Sequence, residues 1–104
     1  MIDSFKTLIR KIKRKKEHRR NVKRYHALCA EIDALIVKHR SNQLNNTGHP
    51  SARAEGVIAS IELRRGMLET NMKPPVQEDL FSHNLQSLQR NFASLDWIIN
   101  YSEL

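Results

Sequence analysis

The sequence predicts an all-α fold, namely a three-helix antiparallel bundle or coiled coil with a long basic N-terminal helix. Neither Gly nor Pro occurs before Gly48, so no strong helix breaker interrupts the first part of the chain. Apolar residues recur three and four positions apart in each predicted helix, which places them on one helical face. With 104 residues the chain fits a single domain, 1–104, made of a basic helix or arm over 1–24 and a helical body over 25–104.

The first helix is predicted to span residues 3 to 40. Asp3 or Ser4 could cap its start, because a side-chain oxygen can accept a hydrogen bond from a free backbone amide there. The polar stretch from Ser41 to Gly48 is rich in turn-forming residues and predicts a loop. The second half of the helix shows a heptad pattern of apolar residues: Val22, Tyr25, Leu28, Cys29, Ile32, Leu35 and Ile36.

Pro50 suits the first turn of a second helix, where its missing N–H is not needed. Ala52, Gly56 and Ala59 form a small-residue face on this helix. Two interpretations of that face are open: a close approach to another helix, or a helix that is simply weaker at its glycines. The helix is predicted to end near residue 72 and to bury one apolar face, formed by Val57, Ile58, Ile61, Leu68 and Met72.

The segment Lys73-Pro74-Pro75 is the strongest break in the chain, since proline restricts both itself and the residue before it. Glu78 and Asp79 then supply the negative charge that is favourable at a helix N-terminus. Two short connections between helices favour antiparallel neighbours. The third helix carries a heptad without a missed position: Phe81, Leu85, Leu88, Phe92, Leu95 and Ile99.

The predicted helices differ in length. The second and third are about 35 Å long at 1.5 Å per residue, whereas a first helix over residues 3 to 40 is about 57 Å long. The two shorter helices can therefore cover only the second half of the first. Its first half should project, bend back near Asn21, or contact another molecule.

The net charge of +7 is distributed unevenly along the chain. Residues 1–24 hold eleven Lys and Arg against two acids, a net of +9, whereas residues 25–104 hold seven against nine, a net of −2. We refer to residues 6–24, which contain all eleven of these basic residues, as the basic segment. Like charges three and four positions apart destabilise an isolated helix, and an anionic partner would relieve that repulsion.

Nucleic acid is the leading hypothesis for this partner. A helix with Lys and Arg on several faces can neutralise phosphates and gain affinity from the release of counterions. No Phe, Tyr or Trp lies inside the basic segment, so a platform that stacks single-stranded bases is not expected. The predicted nucleic-acid-binding residues are Arg10, Lys11, Lys13, Arg14, Lys15, Lys16, Arg19, Arg20, Lys23 and Arg24.

A protein–protein interaction module is the alternative: an inhibitor, adaptor or assembly factor of the kind found among phage and plasmid accessory proteins. Apolar residues of the first helix could pair with a second copy or dock in a partner's groove, and large aromatic residues could anchor an interface. Burial in the core is nevertheless the commoner fate of such aromatic residues. In this hypothesis Glu55, Glu62 and Glu69 could neutralise the basic segment within the chain or across a dimer. The predicted interface residues are Phe5, Leu8, Ile9, Ile12, Trp97 and Tyr101.

A peripheral membrane-surface protein is the third hypothesis. Five apolar residues would then form the apolar face of a basic amphipathic helix, and binding would require anionic lipid. These residues are Ile2, Phe5, Leu8, Ile9 and Ile12.

No catalytic or metal site in the sequence indicates an enzyme, a cofactor or a small-molecule substrate. His26 and Cys29 lie one turn apart and could supply half of a zinc site, but no second pair has a suitable spacing. Cys29 lies on the apolar stripe, which predicts a buried structural thiol. A lone cysteine implies no oxidising compartment, and no apolar stretch has the length of a signal peptide or a membrane span. We therefore expect a cytoplasmic protein.

Overall fold

The computed structural model describes residues 2–45 and 52–102, which form three α-helices and a closing π-helical turn. Helix α1 spans Ile2–Asn45, α2 spans Ala52–Met72 and α3 spans Glu78–Trp97. The chain then continues as a π-helix over Ile98–Ser102. None of the described residues forms a strand. The predicted all-α, three-helix bundle is confirmed.

Helix α1 is longer than the sequence pattern predicts. The loop expected from Ser41 is wrong at its start, because the helix continues to Asn45. Ser, Asn and Gln lower helix propensity only slightly, and no Gly or Pro occurs before Gly48 to end the helix. The remainder of the predicted loop and Pro50 lie outside the described residues.

The three helices alternate in direction. Near the start of α2, Glu55 meets the end of α1 at His39, whereas near its end Glu69 meets Tyr25. Helix α2 therefore runs antiparallel to α1, and α3 turns back antiparallel to α2. The core between them contains most of the apolar residues that the heptads predict: Tyr25, Leu28, Cys29, Ile32, Leu35, Ile58, Ile61, Leu68, Phe81, Leu85, Leu88, Leu95 and Ile99, with Val22, Ile36, Val57, Met72 and Phe92 partly buried against them.

Buried polar contacts fix the register of the helices. The Asn84 side-chain amide donates to the Asn71 oxygen at 2.8 Å, and Asn71 donates to Gln77 at 3.2 Å. The Tyr25 hydroxyl donates to Glu69 at 2.8 Å. Burial raises the pKa of the Tyr25 hydroxyl above its ordinary value, and the bond to Glu69 raises it further, so the group remains a donor. Sliding α2 along either neighbour would leave these buried groups without partners, which is costly.

The predicted mismatch in helix length is present. The molecule measures 69 × 23 × 17 Å, and its long dimension follows α1. His18 is the first residue of α1 whose ring packs on the bundle, against Phe81 at 5.1 Å. We call residues 2–13 the projecting segment, since they extend about 18 Å beyond this region. Of the predicted arrangements, the structure shows a projecting helix without a bend near Asn21, and contact with another molecule stays a prediction.

The glycines of α2 do not mark a close helix contact. A methyl group placed on Gly56 or Gly66 would have no heavy atom within 4 Å, apart from its immediate surroundings in the helix. Ala52 and Ala59 are exposed as well. Of the two interpretations of the small-residue face, a close approach is therefore wrong, and the glycines only weaken the helix.

Candidate nucleic-acid interface

The basic segment lies on one uninterrupted stretch of α1. All eleven of its Lys and Arg side chains are exposed. Within residues 2–45 and 52–102, none of them forms an ion pair or a side-chain hydrogen bond. Successive residues of a helix are rotated by about 100°, so these side chains point in nearly all directions around α1. The residues predicted to bind nucleic acid, from Arg10 to Arg24, therefore surround one stretch of α1 and do not share a single face.

Two of the three acids of α2 are occupied away from the basic segment. Glu55 accepts hydrogen bonds from His39 and Arg40, near the opposite end of α1. Glu69 accepts the Tyr25 hydroxyl. Glu62 is exposed and has no ion pair in the described part of the chain. The hypothesis that these three acids neutralise the basic segment within the chain is therefore wrong. Antiparallel packing places Glu55 and Glu69 beside other residues, and Glu62 forms no ion pair with the basic segment.

The charge of Glu55 supports the fold rather than the candidate interface. The hydrogen bond from Arg40 lowers the pKa of the Glu55 carboxyl and outweighs the rise caused by partial burial. Because the pKa of Glu55 in the folded protein is lower than its ordinary value of 4.5, the charged carboxylate stabilises the fold at pH values above 4.5. This contribution is lost as the pH falls further and the carboxylate becomes protonated.

Replacing Glu55 with glutamine should lower the free energy of unfolding at neutral pH, and the difference from wild type should shrink as the pH falls below about 4. The measurement is urea denaturation at a series of pH values. Glu62→Gln is the matched control on the same helix, and its effect should be small throughout. Equal losses in both variants, or a loss that grows in acid, would contradict this assignment.

A small cleft marks the place where the basic segment meets the bundle. Arg14 lines it together with three acids: Glu17, Glu78 and Asp79. Glu78 and Asp79 form the first turn of α3, as the sequence predicts. None of the three is within ion-pair distance of Arg14 in the described structure. Arg14 is therefore the candidate residue whose positive charge is partly offset by acids of the bundle.

The predicted protein-interface residues are also on the surface. Phe5, Leu8 and Ile12 are exposed, and Ile9 is half-buried. Trp97 is 52% exposed and Tyr101 is 67% exposed, so burial in the core, the commoner fate of such residues, does not apply to them. The buried face of α3 passes through Leu95 and Ile99, and a residue midway between those positions points away from the core. The structure places Trp97 and Tyr101 at the end of the molecule far from the projecting segment.

Sequence reasoning missed an additional aromatic contact. The Arg53 guanidinium lies over the Trp97 ring, 5.9 Å from its centroid. A cation at this distance from an exposed ring contributes about 0.5 to 1 kcal/mol. No spacing in the sequence connects these two residues, since only the antiparallel packing of α2 and α3 brings them together.

No family model, curated protein or solved structure matches this chain. In residues 2–45 and 52–102, no three His, Cys, Asp or Glu side chains are grouped as metal ligands would be. Cys29 is buried while His26 is exposed, which separates the two residues of the half zinc site. None of the described helices is long and apolar enough to cross a membrane.

Proposed function

We propose that this chain is a non-enzymatic, cytoplasmic helical protein that binds a polyanion through the basic segment, and that the polyanion is nucleic acid. One observation supports the proposal above all others: eleven exposed cationic side chains, none of them ion-paired within residues 2–45 and 52–102, lie on a single helix that extends past its own bundle. The described acids of the bundle form no ion pair with them and lie near only one of them, Arg14. Phosphates would neutralise these charges.

The dimensions of the basic segment suit a double helix. Its 19 residues, Lys6 to Arg24, extend about 28 Å at 1.5 Å per residue. A DNA duplex presents about sixteen phosphates over that length of axis, counting both strands. The segment can therefore meet several phosphates at once, and release of their counterions would supply the binding free energy.

Duplex is favoured over single-stranded nucleic acid. Proteins that bind single strands combine a positively charged groove with aromatic rings on which the bases stack. Tyr25, the aromatic residue at the edge of the basic segment, is buried and packs edge-on against Phe81 at 5.7 Å. It cannot receive a base.

A salt titration tests the proposal. Binding of labelled duplex DNA and duplex RNA is measured by fluorescence anisotropy at several salt concentrations. If about five phosphates are contacted, log affinity should fall with log salt at a slope of about −4.5 for DNA. A single strand of equal length should bind more weakly. The absence of binding at low salt would overturn the proposal.

The protein-interaction module remains the second candidate function, and the exposure of Trp97 and Tyr101 favours it. Exposed aromatic residues of this size are the commonest anchors of protein interfaces. In this hypothesis a second copy or another protein covers both rings. Light scattering over a range of concentrations, with Trp97→Ser as the comparison, tests self-association. A wild-type monomer at every concentration would exclude the second copy.

A further inference from the structure

The projecting segment has an exposed apolar face that the nucleic-acid proposal does not use. We call it the apolar stripe; Phe5, at 64% exposed, is central to it. At 100° per residue the stripe lies on the side of α1 opposite to Tyr25, Ile32 and His39, which face the bundle. Neither α2 nor α3 can therefore cover it. Its members are Ile2, Phe5, Leu8 and Ile12, which are exposed, and Ile9, which is partly buried.

Positive charge borders the stripe from Lys6 onward. Lys6, Arg10 and Lys13 flank one edge, and Lys11 and Lys15 flank the other. No acid occurs from residue 4 to residue 16. Whatever covers the stripe must therefore offer an apolar interior next to negative charge on both sides.

The need for both an apolar interior and adjacent negative charge distinguishes among the molecules that could cover the stripe. Nucleic acid supplies the negative charge, but its backbone offers no apolar interior to bury Phe5 or Ile12. A second copy supplies the apolar face, but the seven Lys and Arg of residues 6–16 in each chain would face each other with only Asp3 and Glu17 of each chain close enough in sequence to compensate. An anionic bilayer supplies both, since its acyl chains lie beneath a layer of negative headgroups.

We infer that the projecting segment lies in the surface of an anionic lipid bilayer, with the apolar stripe inserted and the flanking lysines and arginines at headgroup level. Three turns of helix are enough for shallow insertion and far too short to span. The long stems of Lys and Arg reach the headgroups while the stripe remains below them. This goes beyond the proposed function, because it assigns a second class of ligand to the apolar stripe, which phosphate binding does not require, while Arg10, Lys11, Lys13 and Lys15 would serve both ligands.

Vesicle flotation tests the inference. The full chain, free of nucleic acid, is mixed with vesicles of phosphatidylcholine alone or with about one third phosphatidylserine. Wild type should float only with the anionic vesicles. Phe5→Ser combined with Leu8→Ser should weaken that binding at least tenfold, because two of the five inserting side chains are lost. Both positions lie outside the bundle, so the variant should fold normally by circular dichroism.

A matched control separates the stripe from general surface hydrophobicity. Leu63 is 71% exposed on α2 and Leu80 is 49% exposed on α3. Leu63→Ser combined with Leu80→Ser removes comparable exposed apolar surface and should leave flotation unchanged. Equal losses in the two double variants would overturn the inference, as would failure of wild type to float with anionic vesicles.

A tryptophan placed in the stripe distinguishes insertion into the bilayer from adhesion that depends on charge alone. Trp97 is the only tryptophan, so Trp97→Phe with Phe5→Trp gives a single probe. Its emission should shift to the blue and be quenched by lipids brominated on their acyl chains. Flotation without quenching would overturn insertion. A dimer that Phe5→Ser with Leu8→Ser abolishes, with no quenching in the variant that carries Trp at position 5, would assign the stripe to a second copy instead.

The inference and the proposed function can fail separately. Duplex binding by Phe5→Ser with Leu8→Ser should match wild type, because no basic side chain is removed. A chain that binds vesicles but no duplex would leave the membrane inference standing and remove the nucleic-acid proposal. A chain that binds duplex but no vesicles would remove the membrane inference and leave the nucleic-acid proposal standing.

Discussion

A variant in which Lys15, Lys16, Arg19 and Arg20 are all replaced by glutamine is expected to bind duplex DNA about a thousandfold more weakly than wild type in 0.1 M salt. Each phosphate contact contributes about 0.9 to the slope of log affinity against log salt, so the loss of four contacts removes about 3.6 from it. The slope should therefore fall from about −4.5 to about −0.9. Anisotropy titrations at several salt concentrations measure both quantities.

The control for this variant carries the same charge change elsewhere. Replacing Lys38, Arg53, Lys73 and Arg90 with glutamine also removes two lysines and two arginines, all exposed, and also lowers the net charge from +7 to +3. If location matters, the control should keep a slope near that of wild type. A similar loss in both variants would show that only the total charge matters and would contradict a localised interface.

Replacing Phe81 with alanine is expected to lower the free energy of unfolding by about 3 to 5 kcal/mol. Phe81 is fully buried and packs edge-on against His18 at 5.1 Å and Tyr25 at 5.7 Å, so its removal leaves a cavity between α1 and α3. A small domain has only about 5 to 15 kcal/mol of stability in total. The variant should therefore unfold at a much lower urea concentration, as followed by circular dichroism.

Leu80→Ala is the control for the cavity. Leu80 and Phe81 are neighbours in the first turns of α3, but Leu80 is about half exposed whereas Phe81 is fully buried. The replacement of Leu80 should change the free energy of unfolding by no more than about 0.5 kcal/mol. Phe81→Ala with a loss below about 1 kcal/mol would mean that α3 does not pack on α1 as described.

The core could be predicted from the sequence because its signal is periodic. Residues from Tyr25 to Leu35 and from Phe81 to Ile99 repeat at alternating spacings of three and four, and this pattern alone defines one buried face per helix. Helix ends were less certain. The residues from Ser41 to Asn45 lower helix propensity without forbidding a helix, and local composition cannot decide such cases.

Contacts between helices could not be predicted, because they depend on register. Asn71 and Asn84 are polar, and a pattern assigns polar residues to the surface. Both can be buried because the Asn84 amide donates to the Asn71 oxygen across α2 and α3, while Gln77 accepts from the Asn71 amide and Arg64 donates to the Asn84 oxygen. The partner of Tyr25 is hidden from the sequence for the same reason, since Glu69 lies 44 residues away.

The candidate site was partly predictable. The density of Lys and Arg identifies the basic segment, whereas its freedom from acids of α2 required the structure. The direction of the apolar stripe did have a sequence signal. Extending the heptad of Tyr25 and Ile32 toward the N-terminus leads to His18 and Lys11, and it misses Phe5 and Ile12. The stripe was therefore predictable as a face that the bundle does not use.

The projection of α1 also has a consequence for the kinetics of encounter. One end of a molecule 69 Å long carries the excess of positive charge, while the remaining residues are slightly negative. Such a separation of charge gives the molecule a large electric dipole moment along its long axis, to which the peptide dipoles of α1 add with the same sign. In the field of an anionic target the molecule would rotate before contact and arrive with residue 2 foremost. Association would then be fast in dilute buffer and would slow steeply as added ions screen that torque.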